Sequence, residues 1–347
     1  YLGKGIVIAK DTPNFIANNI GLFGVMRILD VLASGRYTIE EIDAMTGPAV
    51  GRPKSATFRT MDLTGLDVLA HVASNLAERL DDEADRRAFA LPPLIQDMVK
   101  RGWIGEKAGQ GFYRKQKGSG STEILTLDPG TMEYRPRQSP RLGPLEAASS
   151  IEDPGERLRT LFLGKDRVGE FMRATLGPTL VYTARVTPTI APSVDAVARA
   201  MRWGFGWELG PFETWDAIGI ENVLKGCRIT DPPRLVTEIQ DRARREQAVE
   251  ARFRDGLVPA AAPDLQILRS AKDRERVVKR NPSASLIDLG DGVLVVEFHS
   301  KLNTIGGDTI QMLTASVKEA SRNFAALVIG NDAPTFSAGA NLLLLLL

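Results

Sequence analysis

An internal repeat constrains the fold of this chain more than any other feature of its sequence. Residues 58–65 read Phe-Arg-Thr-Met-Asp-Leu-Thr-Gly and residues 212–219 read Phe-Glu-Thr-Trp-Asp-Ala-Ile-Gly, so Phe, Thr, Asp and Gly recur at identical offsets. Each segment follows a long apolar stretch with helical periodicity, at 13–34 and at roughly 168–186. Repetition of this kind indicates two copies of one structural unit.

The duplication has a physical use. A small helical unit exposes an apolar face that it cannot bury alone, and a second copy in the same chain can pack against that face. Such packing, related by a pseudo-two-fold axis, replaces the contact of a homodimer. The sequence therefore predicts a mainly α chain with two tandem helical domains.

Composition narrows the class of protein. The 347 residues are 43% hydrophobic and 25% charged, which is typical of a globular protein with two or more domains. The net charge of +1 gives no bulk attraction to nucleic acid or to an acidic membrane. A single cysteine, Cys227, excludes a disulfide framework and fits a reducing compartment. Together with His71 and His299 it forms no metal-ligand spacing, so we interpret all three as structural or solvated.

The two ends of the sequence indicate cuts through folded protein. Tyr1 leads directly into an apolar run, Gly5 to Ala9, which predicts a buried strand, and no signal peptide precedes it. The six leucines at 342–347 are too few to span a bilayer and suggest the start of a buried helix. We therefore expect the chain to be a fragment.

Local signals predict the elements of the first copy. Pro13 at the first helical position starts the long helix, and Thr38 with Glu41 has the spacing of a capping box for the next one. Further elements follow from periodicity and turn residues: helices at 58–63, 67–80 and 92–101, a solvated charged connection at 81–87, a structural glycine-dense loop at 102–113, and a hairpin at 123–136 around Asp128-Pro129-Gly130.

The last part of the chain has a different texture. Strands are predicted at 286–289, 293–298 and 325–329, with a helix at 309–323 and a loop at 330–339. A strand, a helix and a strand in this order are the opening of an α/β unit.

One motif in the first copy resembles a known family. The segment Lys10-Asp-Thr-Pro-Asn-Phe-Ile-Ala-Asn18 is similar to the entry helix of the C-terminal domain of 3-hydroxyacyl-CoA dehydrogenases, and Lys107-Ala-Gly-Gln-Gly-Phe-Tyr113 is similar to that domain's closing signature. Two tandem copies, of which only the first has the Asn, resemble multifunctional β-oxidation enzymes. The resemblance implies that Asn18 orients the thioester end of the substrate; the alternative is an ordinary satisfied polar residue. Asn14 is predicted to be a local cap, and Asn19 departs from the Arg that the family usually has there.

A second motif resembles another family. Leu302-Asn303, the strand at 325–329 and Thr335-Phe-Ser-Ala-Gly-Ala-Asn341 are similar to the start of the enoyl-CoA hydratase (crotonase) fold. The resemblance implies that the backbone N–H of Ala340 is an oxyanion-hole donor, with Gly339 allowing close approach. A simple strand–turn–helix connection is the alternative. The implied domains are a first helical copy at 1–118, a hairpin and linker at 119–145, a second helical copy at 146–256, a linker at 257–284, and the truncated start of a crotonase-like α/β domain at 285–347.

Together the resemblances imply part of a fatty-acid β-oxidation enzyme that oxidises (S)-3-hydroxyacyl-CoA with NAD and has enoyl-CoA hydratase activity in its full-length form. The catalytic His and Glu and the NAD site would belong to a domain of the same parent chain that is absent here, so the fragment alone is expected to be inactive. Gly204-Phe-Gly206 with Gly210 has the wrong spacing for a dinucleotide loop, and Trp203, Trp207 and Trp215 are predicted core residues.

Two other classes of function stay open. One is a non-catalytic dimerisation or scaffold module of an acyl-CoA-metabolising complex, and the other is a relative with a different hydroxyacyl substrate, such as 3-hydroxybutyryl-CoA. The expected partners are the acyl-CoA substrate, the NAD-binding domain, and a second copy of the chain or a thiolase, with no nucleic acid. The expected location is the bacterial cytoplasm.

Overall fold

A computed structural model describes residues 5–80, 82–117, 122–246, 251–253, 276–290, 292–331 and 336–340. The chain divides into two compact units, residues 1–258 and 259–347. Both helical copies lie in the first unit, where they share one apolar core. The leucines at 342–347 lie outside the described residues.

The first copy consists of six helices followed by a three-stranded antiparallel sheet. The elements are α1 (Ala17–Ala33), α2 (Ile39–Thr46), α3 (Phe58–Thr64), α4 (Leu66–Arg79), α5 (Glu83–Ala88), α6 (Pro93–Lys100), β1 (Tyr113–Lys117), β2 (Thr122–Asp128) and β3 (Glu133–Pro136), with short 3-10 turns at Pro48–Val50 and Glu106–Ala108.

The capping box at Thr38 is confirmed: the Thr38 hydroxyl accepts from the Glu41 N–H, and the Glu41 carboxylate accepts from the Thr38 N–H. The hairpin of β2 and β3 is confirmed as well. Sequence analysis missed β1 and the short helix α5, which Asp82 caps and which replaces the predicted solvated connection.

The predicted strand at residues 5–9 is wrong. These residues are irregular, and Ile6 and Ile8 are 82% and 76% exposed. A strand needs a partner that accepts and donates its backbone hydrogen bonds, and no described strand lies beside this run. The next residue, Lys10, instead donates its N–H to the Ile190 carbonyl.

The regular elements in the described part of the second copy are all helices. Its elements are α7 (Gly143–Ala148), α8 (Pro154–Leu163), α9 (Arg167–Ile190), α10 (Val194–Phe205), α11 (Pro211–Ile218), α12 (Ile220–Gly226) and α13 (Arg234–Arg245). The long helix α9 packs on α1, and the contacts of Tyr182 with Asn19 and of Arg167 with Tyr37 show that the two run in opposite directions.

The repeated residues build the same anchor in both copies. Asp62 accepts the N–H groups of Phe112 and Tyr113, each at 2.8 Å, and Asp216 accepts the N–H of Phe253 at 2.7 Å. The rings pair in the same way. The ring centres of Phe58 and Phe112 lie 4.5 Å apart and those of Phe212 and Phe253 lie 4.7 Å apart, with interplanar angles of 54° and 53°. The repeated Asp and Phe are therefore structural, because each copy uses them to fasten its closing segment.

The second unit is an α/β arrangement of β4 (Val277–Arg280), β5 (Ala284–Gly290), β6 (Val293–Phe298), α14 (Gly307–Asn323) and β7 (Ala326–Gly330). β4, β5 and β6 are antiparallel neighbours, and β7 pairs with β6 in parallel after the α14 crossover. The predicted linker at 257–284 is wrong at its end, because Val277–Arg280 pairs with β5.

Candidate functional site

The turn before α1 fixes where Asn18 lies. Asn14 and Phe15 both have left-handed backbone angles, with φ of 61° and 52°, which are strained for residues with a side chain. The Asn14 amide donates to the Val72 carbonyl in α4 at 3.2 Å and so holds this turn. The predicted helix start at Pro13 is therefore wrong, and Asn14 is a tie to α4 rather than a local cap.

Asn18 itself is exposed, in the first turn of α1. Its side chain has no hydrogen-bond partner among the described residues. Apolar side chains are exposed around the same part of the unit: Phe15 is 58%, Ile6 82% and Trp203 47% exposed. Gly5 lies against the Trp203 ring and Gly204 lies near Ala17, so these residues belong to one surface, which we call the Asn18 surface. Trp203 was predicted to be a core residue, and that prediction is wrong.

The neighbouring Asn19 has the opposite environment. It is 1% exposed, and its Oδ1 accepts a hydrogen bond from the Tyr182 hydroxyl of α9 at 2.7 Å. The Tyr182 ring stacks on Phe23 at 3.9 Å, and burial raises the pKa of its hydroxyl. Asn19 therefore joins the two copies. Sequence analysis found no signal for this contact, because the two residues are far apart in the chain.

The glycine-dense loop at 102–113 is structural, as predicted. A Cβ on Gly105 would lie 2.3 Å from the Asp62 carbonyl oxygen, and one on Gly111 would lie 2.0 Å from the Asp62 carboxylate. Only glycine fits at such separations. Burial raises the pKa of Asp62 to about 6, against the lowering effect of the backbone N–H groups that it accepts.

The described residues do not fit a dinucleotide. A phosphate-binding glycine loop joins a strand to the start of a helix, but Gly204 lies inside the last turn of α10 and Gly206 ends that helix in a left-handed conformation. Asp62 packs directly against Gly105 and Gly111, so neither glycine is open to a phosphate. We therefore derive no hydride-transfer step from this chain.

In the second unit, residues 302–305 and 338–340 come together. Ala338 N–H donates to the Leu302 carbonyl at 3.1 Å, and Ile305 N–H donates to the Gly339 carbonyl at 2.9 Å. Gly339 has a φ of 95°, and no atom lies within 4 Å of the position of a Cβ there. Ala340 is exposed, and its N–H has no acceptor in the described part of the chain. The loop could accordingly present this N–H to a ligand oxygen.

The remaining candidates do not form a site. His71 is exposed, and His299 forms a hydrogen bond with the Ser285 hydroxyl at 2.9 Å. Burial raises the pKa of the Cys227 thiol to about 11, which makes it a poor nucleophile. Within the described ranges, no group of His, Cys, Asp or Glu side chains is arranged to hold a metal ion. No described helix has both the length and the apolar character needed to cross a membrane.

Comparisons with known proteins agree with the resemblance of the first copy. Residues 15–115 match the family model "3-hydroxyacyl-CoA dehydrogenase, C-terminal domain". A probable 3-hydroxyacyl-CoA dehydrogenase of Bacillus subtilis is 42% identical over 100% of this chain and 44% of its own length. A protein of the same name from Deinococcus radiodurans is 46% identical over 33% of each chain.

A more distant relative has a broader name. A putative fatty acid oxidation complex trifunctional enzyme of Rickettsia felis is 24% identical over 99% of this chain and 45% of its own length. The chain thus spans less than half the length of the relatives that match it throughout. Its first helical copy matches the C-terminal domain of the 3-hydroxyacyl-CoA dehydrogenase family, and the chain as a whole is similar to proteins of that name.

Proposed function

We propose that this chain is the substrate-side part of a fatty-acid β-oxidation enzyme that oxidises (S)-3-hydroxyacyl-CoA to 3-oxoacyl-CoA with NAD. The match of residues 15–115 and the similarity over the full chain support this proposal. NAD and the general base that takes the hydroxyl proton would come from a dinucleotide-binding domain outside these 347 residues.

The observation that carries the proposal is the contrast between Asn18 and Asn19. Asn19 is satisfied inside the protein by Tyr182, whereas the Asn18 amide is exposed and has no partner among the described residues. An amide donates and accepts hydrogen bonds without carrying charge. Asn18 would donate to the thioester carbonyl oxygen and hold the acyl group in place, while the exposed apolar residues of the Asn18 surface would be covered by the dinucleotide-binding domain.

The second unit adds a hydratase to the proposal. In hydration of an enoyl thioester, negative charge develops on the thioester oxygen, and backbone N–H donors stabilise it with little reorganisation. Ala340 is an exposed residue on a loop bonded to Leu302 and Ile305, and its backbone N–H is the donor that this chain would supply. A second donor and the acids that activate water would lie outside the described residues.

The proposal also covers location and partners. The enzyme would act in the bacterial cytoplasm and would pass 3-oxoacyl-CoA to a thiolase, either free or in a complex, or would assemble with a second copy of itself. The trifunctional name of one relative supports a multi-activity assembly.

Substitution of Asn18 in the full enzyme that contains this chain tests the proposal. We expect Asn18→Ala to lower kcat/KM of the NAD-linked oxidation about a hundredfold, as loss of one oriented donor does elsewhere. The matched control is Ala174→Asn, which places an amide at the exposed corresponding position of α9, and it should neither change the wild-type rate nor restore Asn18→Ala.

Two outcomes would contradict the proposal. An Asn18→Ala enzyme with unchanged kinetics would remove the role of the amide. Turnover by the purified 347-residue chain alone would show that the proposed outside domain is not required. The full enzyme could also show no NAD-linked oxidation while substitutions in the Asn18 surface disrupt its assembly. That result would favour the non-catalytic scaffold.

A further inference from the structure

A cavity of about 350 Å³ lies between the two helical copies. Its walls include Val25 and Ile28 of α1 and Met172 and Leu176 of α9. Gly21 and Gly24 bring no side chains to its α1 wall. The volume falls within the range of roughly 300–1,000 Å³ that small-molecule sites have.

Most hydroxyl groups on the walls already donate hydrogen bonds within the protein. The Thr175 and Thr179 hydroxyls donate to carbonyls one turn earlier in α9, each at 2.8 Å, and the Thr57 hydroxyl donates to Thr46 at 2.9 Å. These threonines therefore present mainly their methyl groups to a ligand. The wall behaves as a largely apolar surface.

Arg52 is the exception. Arg52 is half-buried and lines the cavity, and its guanidinium has no hydrogen-bond or carboxylate partner among the described residues. Its central carbon lies 4.0 Å from the centre of the Trp207 ring. Burial lowers the pKa of Arg52 to about 10, so the group is still cationic at neutral pH.

The stack on Trp207 compensates only part of this charge. A ring face attracts a cation more weakly than an anion does, and stacking occupies the face of the guanidinium while its edge N–H groups stay free to donate. A carboxylate accepts two such N–H groups at once. One guanidinium balances one negative charge, whereas a phosphate dianion would add a second charge without a partner.

We propose that the cavity between the two copies binds a medium-chain fatty carboxylate, with its head on the edge of Arg52 and its tail between α1 and α9. This site lies inside the first unit, and Asn18 is not among the residues that line it, although Gly204 of the Asn18 surface is. It does not depend on the proposed dehydrogenase activity.

Direct binding to the purified 347-residue chain tests the proposal. Octanoate, octanol and inorganic phosphate are titrated separately, with heat of binding and tryptophan fluorescence as the two readouts. We expect saturable binding of octanoate that quenches or shifts the tryptophan emission, binding about tenfold weaker or more for octanol, and no binding of phosphate.

Three variants separate the charge from its surroundings. Arg52→Met should weaken octanoate binding about tenfold or more and leave octanol binding unchanged. The octanoate affinity of Arg52→Lys should lie between those of wild type and Arg52→Met, because lysine keeps the charge but lacks the paired N–H donors of the guanidinium. Arg101→Met is the matched control, since Arg101 also stacks on a tryptophan, at 5.1 Å from the Trp103 ring, but is exposed and outside the cavity.

Equal binding of octanoate and octanol, or an equal loss in the Arg101 and Arg52 variants, would overturn the proposal. If Arg52→Met does not fold, a crystal of the wild-type chain with bromo-octanoate decides: bromine density between α1 and α9 supports the site, and its absence there overturns it.

Discussion

The two helical copies share an internal anchor but differ at the start of their long helices α1 and α9. Phe15, Asn18 and Gly21 of the first copy correspond in order and spacing to Phe171, Ala174 and Gly177 of the second. Phe171 is 1% exposed and packs against Tyr37, whereas Phe15 is 58% exposed. The second copy buries this ring against the first copy, whereas the first copy leaves both its ring and the Asn18 amide exposed.

This difference shows that two copies of one unit can keep the same internal anchor and still bury different surfaces. Conserving the Asp and Phe of the anchor keeps both copies folded, as the paired geometries of Asp62 and Asp216 show. The first copy leaves the Phe15 ring and the Asn18 amide exposed. The second copy instead contributes buried surface, which a lone helical unit lacks.

The largest expected effect separates Phe171 from Phe15. Phe171→Ala removes a fully buried ring and should lower the free energy of unfolding by about 4 kcal/mol, whereas Phe15→Ala should change it by less than about 0.5 kcal/mol. Urea denaturation of both variants measures this. Equal losses of stability would mean that the Phe15 and Phe171 rings are equally packed, which would remove the contrast between the copies.

The next effect tests the shared anchor. Asp62→Ala leaves two backbone N–H groups without their acceptor and should lower the free energy of unfolding by about 3 kcal/mol. Asp216→Ala removes the acceptor of the Phe253 N–H and should lower it by at least about 1.5 kcal/mol. Thermal and urea unfolding of both variants compares them. A neutral Asp216→Ala would show that the repeat motif no longer has the same role in the second copy.

A smaller effect concerns the contact between the copies. Tyr182→Phe removes the hydroxyl that donates to Asn19 and should lower the free energy of unfolding by about 1.5 kcal/mol, since the buried amide oxygen loses its donor. Tyr134→Phe, which removes a half-buried hydroxyl bonded to the Gly111 carbonyl, is the comparison inside the first copy. A Tyr182→Phe protein as stable as wild type would mean that ring stacking alone joins the helices.

The smallest effect is a pH dependence. The pKa of Asp62 is raised to about 6 in the folded chain, so its contribution to stability is present below its unfolded pKa and is lost as the pH rises through about 6. Between pH 5 and 7 this amounts to about 1 kcal/mol of higher stability at the acid side. Asp43 titrates in the same window, because burial raises its pKa to about 6 as well.

Asp62→Asn isolates the Asp62 contribution. The variant is less stable at every pH, because an amide accepts only through one of its two ends, but its stability should vary less between pH 5 and 7. Glu40 does not interfere in this window. Burial acts to raise its pKa, but hydrogen bonds from Arg135 and the Gln138 backbone lower it to about 2, so its contribution is lost only in stronger acid. An unchanged slope in Asp62→Asn would exclude Asp62 as its source.

Local signals account for the elements that sequence analysis predicted correctly. The capping box of α2 depends on residues three apart, and the hairpin of β2 and β3 depends on the turn between its strands. The run at 5–9 misled because its apolar pattern is local while a strand requires distant hydrogen-bond partners. The pairing of Val277–Arg280 with β5 was missed because a charged edge strand has little apolar pattern.

The candidate site also contains features with a local sequence signal and features that depend on distant residues. The motif around Asn18 could be recognised because its residues are contiguous; Asn18 is exposed, and its role stays a prediction. The contacts of Asn19 with Tyr182 and of Arg52 with Trp207 join residues far apart in the chain. No property of one sequence segment encodes such a pair, so these could be found only from the packed structure.

The Asn19–Tyr182 hydrogen bond carries an evolutionary consequence. A homologue with arginine at position 19 would place a guanidinium where the space for the amide is closed by an aromatic ring. That exchange would require a smaller or acidic side chain at position 182 to accept the charge. The two positions should therefore have changed together as lineages diverged, so that sequences of this type fall into two groups according to which pair they have.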